Sequence, residues 1–243
     1  MIDYSVSNGV ARVTLNRPEK RNALSPELIR ELCDSFNRAA ADEAARVILL
    51  RGAGKDFCAG VDLSGLTEDH LADARLIADL FLALRRNPRP IIAAVQGRAL
   101  GGGCGLAAAS DLVLAAESAR FGYPEVNLGF VPAIVAALLG RSVGEKQAFE
   151  LLSTGDAIAA AEAHRIGLVN RVYPDDSLEA GAEEYARALA AKSASALALT
   201  KNLLHHIDGM SLEQAMQSGV LVNALARGTA DAQRGIQQFV RKK

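Results

Sequence analysis

Short, almost entirely apolar runs separated by helical segments limit most strongly how this chain can fold. The runs RVILLRG (46–52), IIAAVQG (91–97) and DLVLAA (111–116) have the composition of strands that are buried on both faces. Apolar residues at helical spacing fill about 26–41 and 67–86. This alternation of strands and helices predicts an α/β fold.

The two ends of the chain depart from this alternation. At the N-terminus, IDYSVS and VARVTLN flank Asn8-Gly9, a dipeptide that accepts positive φ at both positions of a hairpin turn. From about Ser177 onward the strand signals stop, and four amphipathic helical segments follow. We therefore predict a core over residues 1–176 and a helical C-terminal region over 177–243, which packs on the core or on another subunit.

Composition excludes several classes of protein. Half of the 243 residues are apolar and the formal net charge is -1, so the chain has neither the signature of disorder nor the basic excess of a nucleic-acid-binding protein. The longest apolar run, 128–140, is shorter than the roughly 18 residues of a membrane span, and no signal peptide is expected. Three widely spaced cysteines without a CxxC motif indicate reduced thiols, no metal site and a cytoplasmic location.

Two groups of small residues follow buried strands in this glycine-rich chain, which has 21 glycines. Residues 101–103 are three glycines between a strand and a helix, where backbone N–H groups lack partners within the helix. A second small-residue loop, CAGVD, covers 58–62. N–H groups from two such loops that converge on one oxygen would form an oxyanion hole. The alternative is that both loops only turn tightly and pack.

The segment GCGLAA (103–108) matches the dinucleotide-binding fingerprint G-x-G-x-x-A after a strand. Its context is poor, because the fingerprint belongs in the first strand–helix unit and needs an acidic residue about 20 positions later. Here the segment follows the third or fourth strand, and Glu117 comes too early. A dinucleotide-dependent oxidoreductase is therefore a distant alternative.

Several segments, in order, resemble the crotonase superfamily, also called the enoyl-CoA hydratase/isomerase superfamily. They are LNRPEKRNAL, RVILLRGAGKDFCAGVDL, PIIAAVQGRALGGGCGLAAASDLVLAAESARFGYPEVNLGFVP and AAEAHRIGLVNRVYP, and they span about 10–175. The resemblance implies a spiral of ββα units with a C-terminal helical trimerisation region, an acyl-CoA substrate and a homotrimer or hexamer. It implies no cofactor beyond the coenzyme A of the substrate, and neither nucleic acid nor a membrane as a partner.

The resemblance also assigns roles at the two small-residue loops. It implies that the backbone N–H groups of Val61 and Gly102 hold the thioester carbonyl, and that 56–59 and the NRPEKRNAL segment line the coenzyme A cleft. The basic residues 241–243 either bind phosphates of coenzyme A or form a solvated tail. The positions implied to contact the substrate are Cys58, Ala59, Gly60, Asp62, Gly101, Gly105 and Pro132.

The number of carboxylates decides which chemistry the resemblance implies. Hydratases of this family place two glutamates beside the substrate, one directly after the GGGC run and one in the F-G-x-P-E segment. In this chain the second is Glu125, and the first position is Gly105. One carboxylate beside an oxyanion hole can move a proton between the α and γ carbons and so shift a double bond. Enoyl-CoA isomerisation is therefore favoured, with Glu125, Val61 and Gly102 as the catalytic groups.

Two alternatives stay open. A hydratase would need the missing carboxylate from elsewhere, and Asp62, Glu68 and Asp69 are candidates because they lie in or just after the second small-residue loop. If only that carboxylate is missing, Gly105→Glu is expected to gain hydration activity. The absence of the first glutamate is also compatible with a subunit that binds acyl-CoA but has reduced catalytic activity. Pro132 begins an apolar stretch that either lines the far end of the acyl pocket or packs in the core.

Overall fold

The computed structural model describes residues 1–241, so Lys242 and Lys243 of the predicted basic tail lie outside the described residues. Over residues 1–241 the chain forms nine strands and ten α-helices. The strands are β1 (Ile2–Ser7), β2 (Val10–Leu15), β3 (Val47–Gly52), β4 (Ile91–Val95), β5 (Arg98–Leu100), β6 (Leu112–Ala116), β7 (Arg120–Gly122), β8 (Ile158–Ala159) and β9 (Arg171–Tyr173). The helices are α1 (Pro26–Ala41), α2 (His70–Arg86), α3 (Gly102–Ala109), α4 (Ala133–Ser142), α5 (Glu145–Thr154), α6 (Ala160–Arg165), α7 (Leu178–Ala190), α8 (Ala194–His206), α9 (Leu212–Arg227) and α10 (Ala230–Arg241).

The first two strands form the predicted hairpin. β1 and β2 pair in antiparallel register over their whole length. The turn residues Asn8 and Gly9 have φ angles of 53° and 78°, which is the left-handed conformation that this dipeptide tolerates. The hairpin prediction is confirmed.

A six-stranded sheet in the order β1-β2-β3-β4-β6-β9 forms the centre of the molecule. From β2 to β9 the neighbouring strands are parallel. β4 is buried along its whole length and β3 at every position except Arg51, as expected of strands that are covered on both faces. Helices α1, α3 and α7 pack against this sheet. The predicted α/β class is confirmed.

A second, smaller sheet contains β5, β7 and β8 in that order. Loop segments add to it through single bridges, which join Cys58 to Ala99 and Val61 to Leu24. A strand of the large sheet, a segment of the small sheet and a helix therefore recur along the chain, as in β4, β5 and α3. The recurrence confirms the spiral of ββα units.

Side-chain caps set the starts of the first two helices. α1 begins at Pro26, as predicted, and the side chain of Ser25 caps it. α2 begins at His70, three residues later than predicted, because the Asp69 carboxylate accepts a hydrogen bond from the Ala72 N–H and so occupies the cap position. The residues just before His70 therefore form a capping turn rather than a first helical turn.

The four helices that follow residue 177 divide into two groups. α7 is part of the main core, where Leu178, Ala182, Ala186 and Ala190 are buried. α8, α9 and α10 contact one another, and within the described residues their only buried side chain is Lys201. Below, β1 through α7 are called the body, and α8, α9 and α10 the outer helices. The domain boundary at 176/177 stays a prediction.

A buried ion pair attaches α8 to the body. The Lys201 ammonium donates to the backbone carbonyls of Leu84 (2.9 Å) and Arg89 (3.2 Å) and to Oδ2 of Asp111 (2.8 Å). The same Asp111 oxygen accepts a hydrogen bond from the Ile91 N–H at 2.7 Å. Burial lowers the pKa of the Lys201 ammonium, and the Asp111 carboxylate opposes that shift. Each of the three Lys201 protons therefore has an acceptor.

Candidate active site

The loop that follows β3 runs beside β5 and is held there by backbone hydrogen bonds. The Cys58 N–H donates to the Arg98 carbonyl, and the Leu100 N–H donates to the Cys58 carbonyl, both at 3.0 Å. Because the loop and β5 are parallel at this bridge, the residues that follow each of them leave the small sheet at the same end. These residues are the two small-residue groups predicted to form a site.

The N–H groups of Val61 and Gly102 lie close together at this end. A Cβ built on Gly102 would be 3.6 Å from the Val61 nitrogen. Within residues 1–241 neither N–H donates a backbone hydrogen bond to another residue. Gly102 is also the first residue of α3, where the helix dipole is positive. Two free donors at the start of a helix can stabilise a negatively charged oxygen.

Glycine is required where the two loops touch. Gly60 has a φ of 104°, and a Cβ on it would lie 2.9 Å from the Leu100 carbonyl oxygen. Gly101 has φ 52° and ψ −121°, a conformation that is open essentially to glycine alone. A Cβ on Gly103 would lie 2.2 Å from the Cys58 carbonyl oxygen. Tight packing of the loops is therefore present, and the same packing brings the two N–H groups together.

Glu125 lies against the start of α3. It follows β7 in a short 3-10 helix, Pro124–Leu128, and the Gly101 N–H donates to the Gly122 carbonyl at 2.9 Å. A Cβ on Gly101 would be 2.8 Å from Oε1 of Glu125. The other carboxylate oxygen of Glu125, Oε2, is buried and has no hydrogen-bond partner among the described residues. Burial raises the pKa of the Glu125 carboxyl, and a hydrogen bond with its own backbone opposes part of the shift.

The cysteines of the two loops are buried packing residues. Burial raises the pKa of the Cys58 thiol and of the Cys104 thiol to about 12, so both are protonated at neutral pH. The Tyr123 hydroxyl lies beside the Cys104 thiol and is itself fully buried. A thiolate nucleophile is therefore not part of the chemistry that this arrangement can perform.

Gly105 faces two apolar side chains that leave no room for a larger residue. A Cβ at this position would lie 2.5 Å from Cζ of Phe81 and 2.7 Å from Cγ1 of Val135. A glutamate at this position would collide with Phe81 unless that ring moves, so the expected gain of hydration by Gly105→Glu stays a prediction. Sequence reasoning missed Phe81: its helical spacing indicates a buried position, but nothing in the local sequence links it to residue 105.

Two of the three acidic residues proposed as substitutes for the missing carboxylate already have structural roles. Oδ1 of Asp62 accepts hydrogen bonds from the Ser64 N–H and hydroxyl, and its Oδ2 lies 3.3 Å from Arg17. These contacts, with the Ser64 hydroxyl first, lower the pKa of Asp62. Asp69 caps α2, and Glu68 is exposed.

The segments implied to line the coenzyme A cleft are tied to the loop that carries Val61. The Ala59 N–H donates to the Arg21 carbonyl at 2.9 Å. The Asn22 side chain donates to the Asp56 carbonyl at 2.8 Å, and Asp56 forms an ion pair with Arg98. Pro132 directly precedes α4, the helix whose Val135 faces Gly105. The predicted substrate-contacting positions thus come from three neighbouring elements.

Residues 1–241 contain neither a cluster suited to a metal ion nor a helix suited to spanning a membrane. This part of the chain has no group of three or more His, Cys, Asp or Glu side chains that could hold a metal ion. None of its helices is both long and apolar enough to cross a membrane. The dinucleotide-like segment forms α3, after β5 of the small sheet, rather than following the first strand as that fingerprint requires.

Comparison with known proteins agrees with this fold and these loops. The sequence model of the enoyl-CoA hydratase/isomerase family matches residues 5–243. A relative from Thermus thermophilus, named as an enoyl-CoA hydratase, is 42% identical over 241 residues, which cover 96% of this chain and 95% of the relative. The 2,3-dehydroadipyl-CoA hydratase of Escherichia coli is 36% identical over 239 residues, covering 96% and 93%. The crystal structure of an enoyl-CoA hydratase from Mycobacterium smegmatis matches with a TM-score of 0.94 at 34% identity, over 100% of this chain and 96% of that one. The crotonase-like fold is confirmed, and the chain belongs to the enoyl-CoA hydratase/isomerase family.

Proposed function

We propose that the protein is an acyl-CoA enzyme that stabilises a thioester enolate and transfers protons with one glutamate, and that enoyl-CoA double-bond isomerisation is its favoured reaction. The N–H groups of Val61 and Gly102 bind the thioester oxygen, and Glu125 is the base and the acid. The observation that carries the proposal is that Glu125 lies against Gly101 at the start of α3, while Gly105, one turn further on, carries no carboxylate and faces Phe81.

In this mechanism the Glu125 carboxylate removes a proton from C2 of a 3-enoyl-CoA. The C2–H electron pair forms a C1–C2 double bond and the carbonyl π electrons move onto oxygen, which gives a dienolate whose negative oxygen accepts hydrogen bonds from the two backbone donors. The protonated Glu125 then returns the proton to C4, and the carbonyl re-forms. The double bond has moved from C3–C4 to C2–C3, and no atom is gained or lost.

The physical properties of the site support this division of roles. One preorganised donor to an oxyanion is worth about 2.7–4 kcal/mol in the transition state. Burial raises the pKa of Glu125 toward neutral pH. A carboxyl group with such a pKa can more readily both accept and donate a proton. Its unpartnered Oε2 is free to receive that proton.

The substrate brings coenzyme A with it, and no separate cofactor is needed for proton transfer. The peptide groups of Cys58, Ala59 and Gly60 line the thioester end of the cleft, with Asp62 at its edge. Gly101, Gly105 and Pro132 border the acyl chain. These assignments follow from the family and from the closeness of the segments described above.

The outer helices supply the contact for a homotrimer or hexamer. α9 exposes a row of large apolar side chains on its surface, and a second copy of this chain is the occupant that the family implies. The exposed residues are Leu212, Met216, Val220, Leu221 and Leu225. Light scattering of the purified protein should give three or six times the 25.6 kDa chain mass, and a Val220→Asp/Leu221→Asp variant should be monomeric. A wild-type monomer would contradict this assembly.

Product analysis tests the reaction. The purified protein is incubated with 2-enoyl-CoA and 3-enoyl-CoA thioesters of several chain lengths, and the products are separated by mass. Isomerisation of 3-enoyl-CoA should fall by at least a hundredfold in Glu125→Gln, since general acid–base catalysis contributes about 10²–10⁴-fold. Rapid hydration of crotonyl-CoA that persists in Glu125→Gln would contradict the proposal.

Hydration is the second candidate, because relatives across the whole chain are named hydratases. Hydration would require a side chain that holds water beside C3. Of the candidate acids, Asp62 and Asp69 each cap a helix, and Asp62 also pairs with Arg17. The same product analysis separates the two candidates. Thioester binding without turnover would instead indicate a catalytically reduced binding subunit.

A further inference from the structure

The space beside Glu125 is set by what faces residue 105. The Gly105 N–H donates to the Gly101 carbonyl at 2.9 Å, so the two residues are one helical turn apart. Their backbones therefore lie about 6 Å apart along the helix axis. Because the Glu125 carboxylate lies against Gly101, whatever fills the space at Gly105 forms the wall next to that carboxylate.

That wall is apolar and closed. The ring of Phe81, from α2, and a methyl group of Val135, from α4, both lie within 3 Å of where a Cβ at residue 105 would stand. The side chains of Phe81 and Val135 are 2% and 5% exposed. A bound water needs a space of its own and two to four polar partners, and an aromatic ring with a methyl group supplies neither.

We propose that Phe81, backed by Val135, is a specificity-determining residue that keeps water away from the acyl carbons beside Glu125. This inference rests on the enolate function proposed above and specifies which product the enolate gives. Hydration would form a C3–O bond from water, break the C2–C3 π bond and deliver a proton of that water to C2. With Phe81 in place no water can be held there, so the enolate can only be reprotonated on carbon.

The packing part of the proposal has a readout that is independent of activity. Gly105→Ala is made in the wild type and in Phe81→Leu, and the melting temperature of each protein is measured. We expect Gly105→Ala to lower the melting temperature by several degrees in the wild type and by less than half as much in Phe81→Leu, because the shorter side chain vacates the space. Equal losses in the two backgrounds would overturn the proposal.

The chemical part is tested on the fate of one substrate. But-3-enoyl-CoA is supplied, and the ratio of 3-hydroxybutyryl-CoA to crotonyl-CoA is measured. Phe81→Ala should raise this ratio at least tenfold, and Phe81→Ala/Gly105→Glu should raise it further, because the second variant adds a carboxylate that can hold the water. Leu80→Ala is the matched control: it opens a cavity at the buried neighbour of Phe81 on α2 and should leave the ratio unchanged.

Deuterium exchange at C2 in D2O separates a failure of this proposal from a failure of the proposed function. If exchange depends on Glu125 but the product ratio stays at the wild-type value in both Phe81 variants, the enolate function stands and the role of Phe81 is overturned. If the wild type shows no exchange, the enolate function fails and the proposal fails with it.

Discussion

The body and the outer helices are stabilised in opposite ways. In the body, apolar side chains from β1 through α7 form one continuous buried core. In the outer helices the apolar side chains lie on the surface, and Lys201 is the one buried side chain within the described residues. Large exposed apolar residues are concentrated there, and include Leu204, Leu212, Met216, Val220, Leu221, Leu225, Ile236 and Val240. The body therefore has an apolar core of its own, whereas we expect the outer helices to depend on polar attachments and on the proposed neighbouring subunit.

Removing the buried attachment is expected to have the largest effect. Lys201→Ala leaves Asp111 and two backbone carbonyls without their cation, and loss of one partner of a buried ion pair costs about 3–5 kcal/mol. Denaturant unfolding measures the free energy, and Lys146→Ala, an exposed lysine on α5, is the control. An equal, small effect of both variants would show that the attachment does not stabilise the fold.

A matched pair of leucine truncations compares the two regions directly. Leu28 in α1 is 0% exposed and Leu221 in α9 is 72% exposed. Leu28→Ala should cost about 2–5 kcal/mol at any protein concentration, because it leaves a cavity in the core. Leu221→Ala should leave the monomer within about 0.5 kcal/mol and should weaken the assembly, so its melting temperature should depend on concentration. A large, concentration-independent loss for Leu221→Ala would contradict the proposed division.

Glu125→Gln probes a carboxylate oxygen of the body that is buried and has no hydrogen-bond partner among residues 1–241. The folded-state pKa lies above the usual value of 4.5, so the folded protein holds its proton more tightly than the unfolded chain. Stability is therefore greatest below the unfolded pKa and is lost as pH rises through the folded pKa. The variant should be more stable than wild type by roughly 1 kcal/mol at neutral pH, while it loses activity. Calorimetry from pH 4 to 8 should show this advantage growing with pH; an advantage that is constant over this range would rule out the charge as its cause.

The smallest effect is expected at the contact between α10 and α8. Hydrogen bonds from the Ser193 and Ser195 hydroxyls and the Ser195 N–H lower the pKa of Asp231 from 3.8 to about 2. The sign is opposite to that of Glu125: the stabilisation is complete above the unfolded pKa and is lost as pH falls through about 2. Asp231→Asn should therefore be less stable than wild type at pH 5, with the difference shrinking toward pH 2. A difference that is independent of pH would show that the charge is irrelevant.

Much of the body and part of the site could be predicted from the sequence, because their signals are local. Asn8-Gly9, Ser25 and the apolar strand runs each determine the structure of only the few residues around them. The two small-residue loops are also local signals, but their meeting depends on the bridge between Cys58 and Ala99. The closure of Gly105 by Phe81 could not be predicted, since α2 and α3 meet only in the folded chain and periodicity does not say which residues touch.

The backbone bridges that bring Val61 and Gly102 together have a consequence for how this protein can change over generations. An anion site made of peptide N–H groups takes no functional group from its own side chains, although the glycines at the contact between the loops must stay. Under the proposed function, substitutions at 81, 105 or 125 would therefore alter the fate of a bound thioester while the two N–H donors stay in place. The side chains that direct the reaction and the backbone groups that hold the oxygen could then change independently of each other.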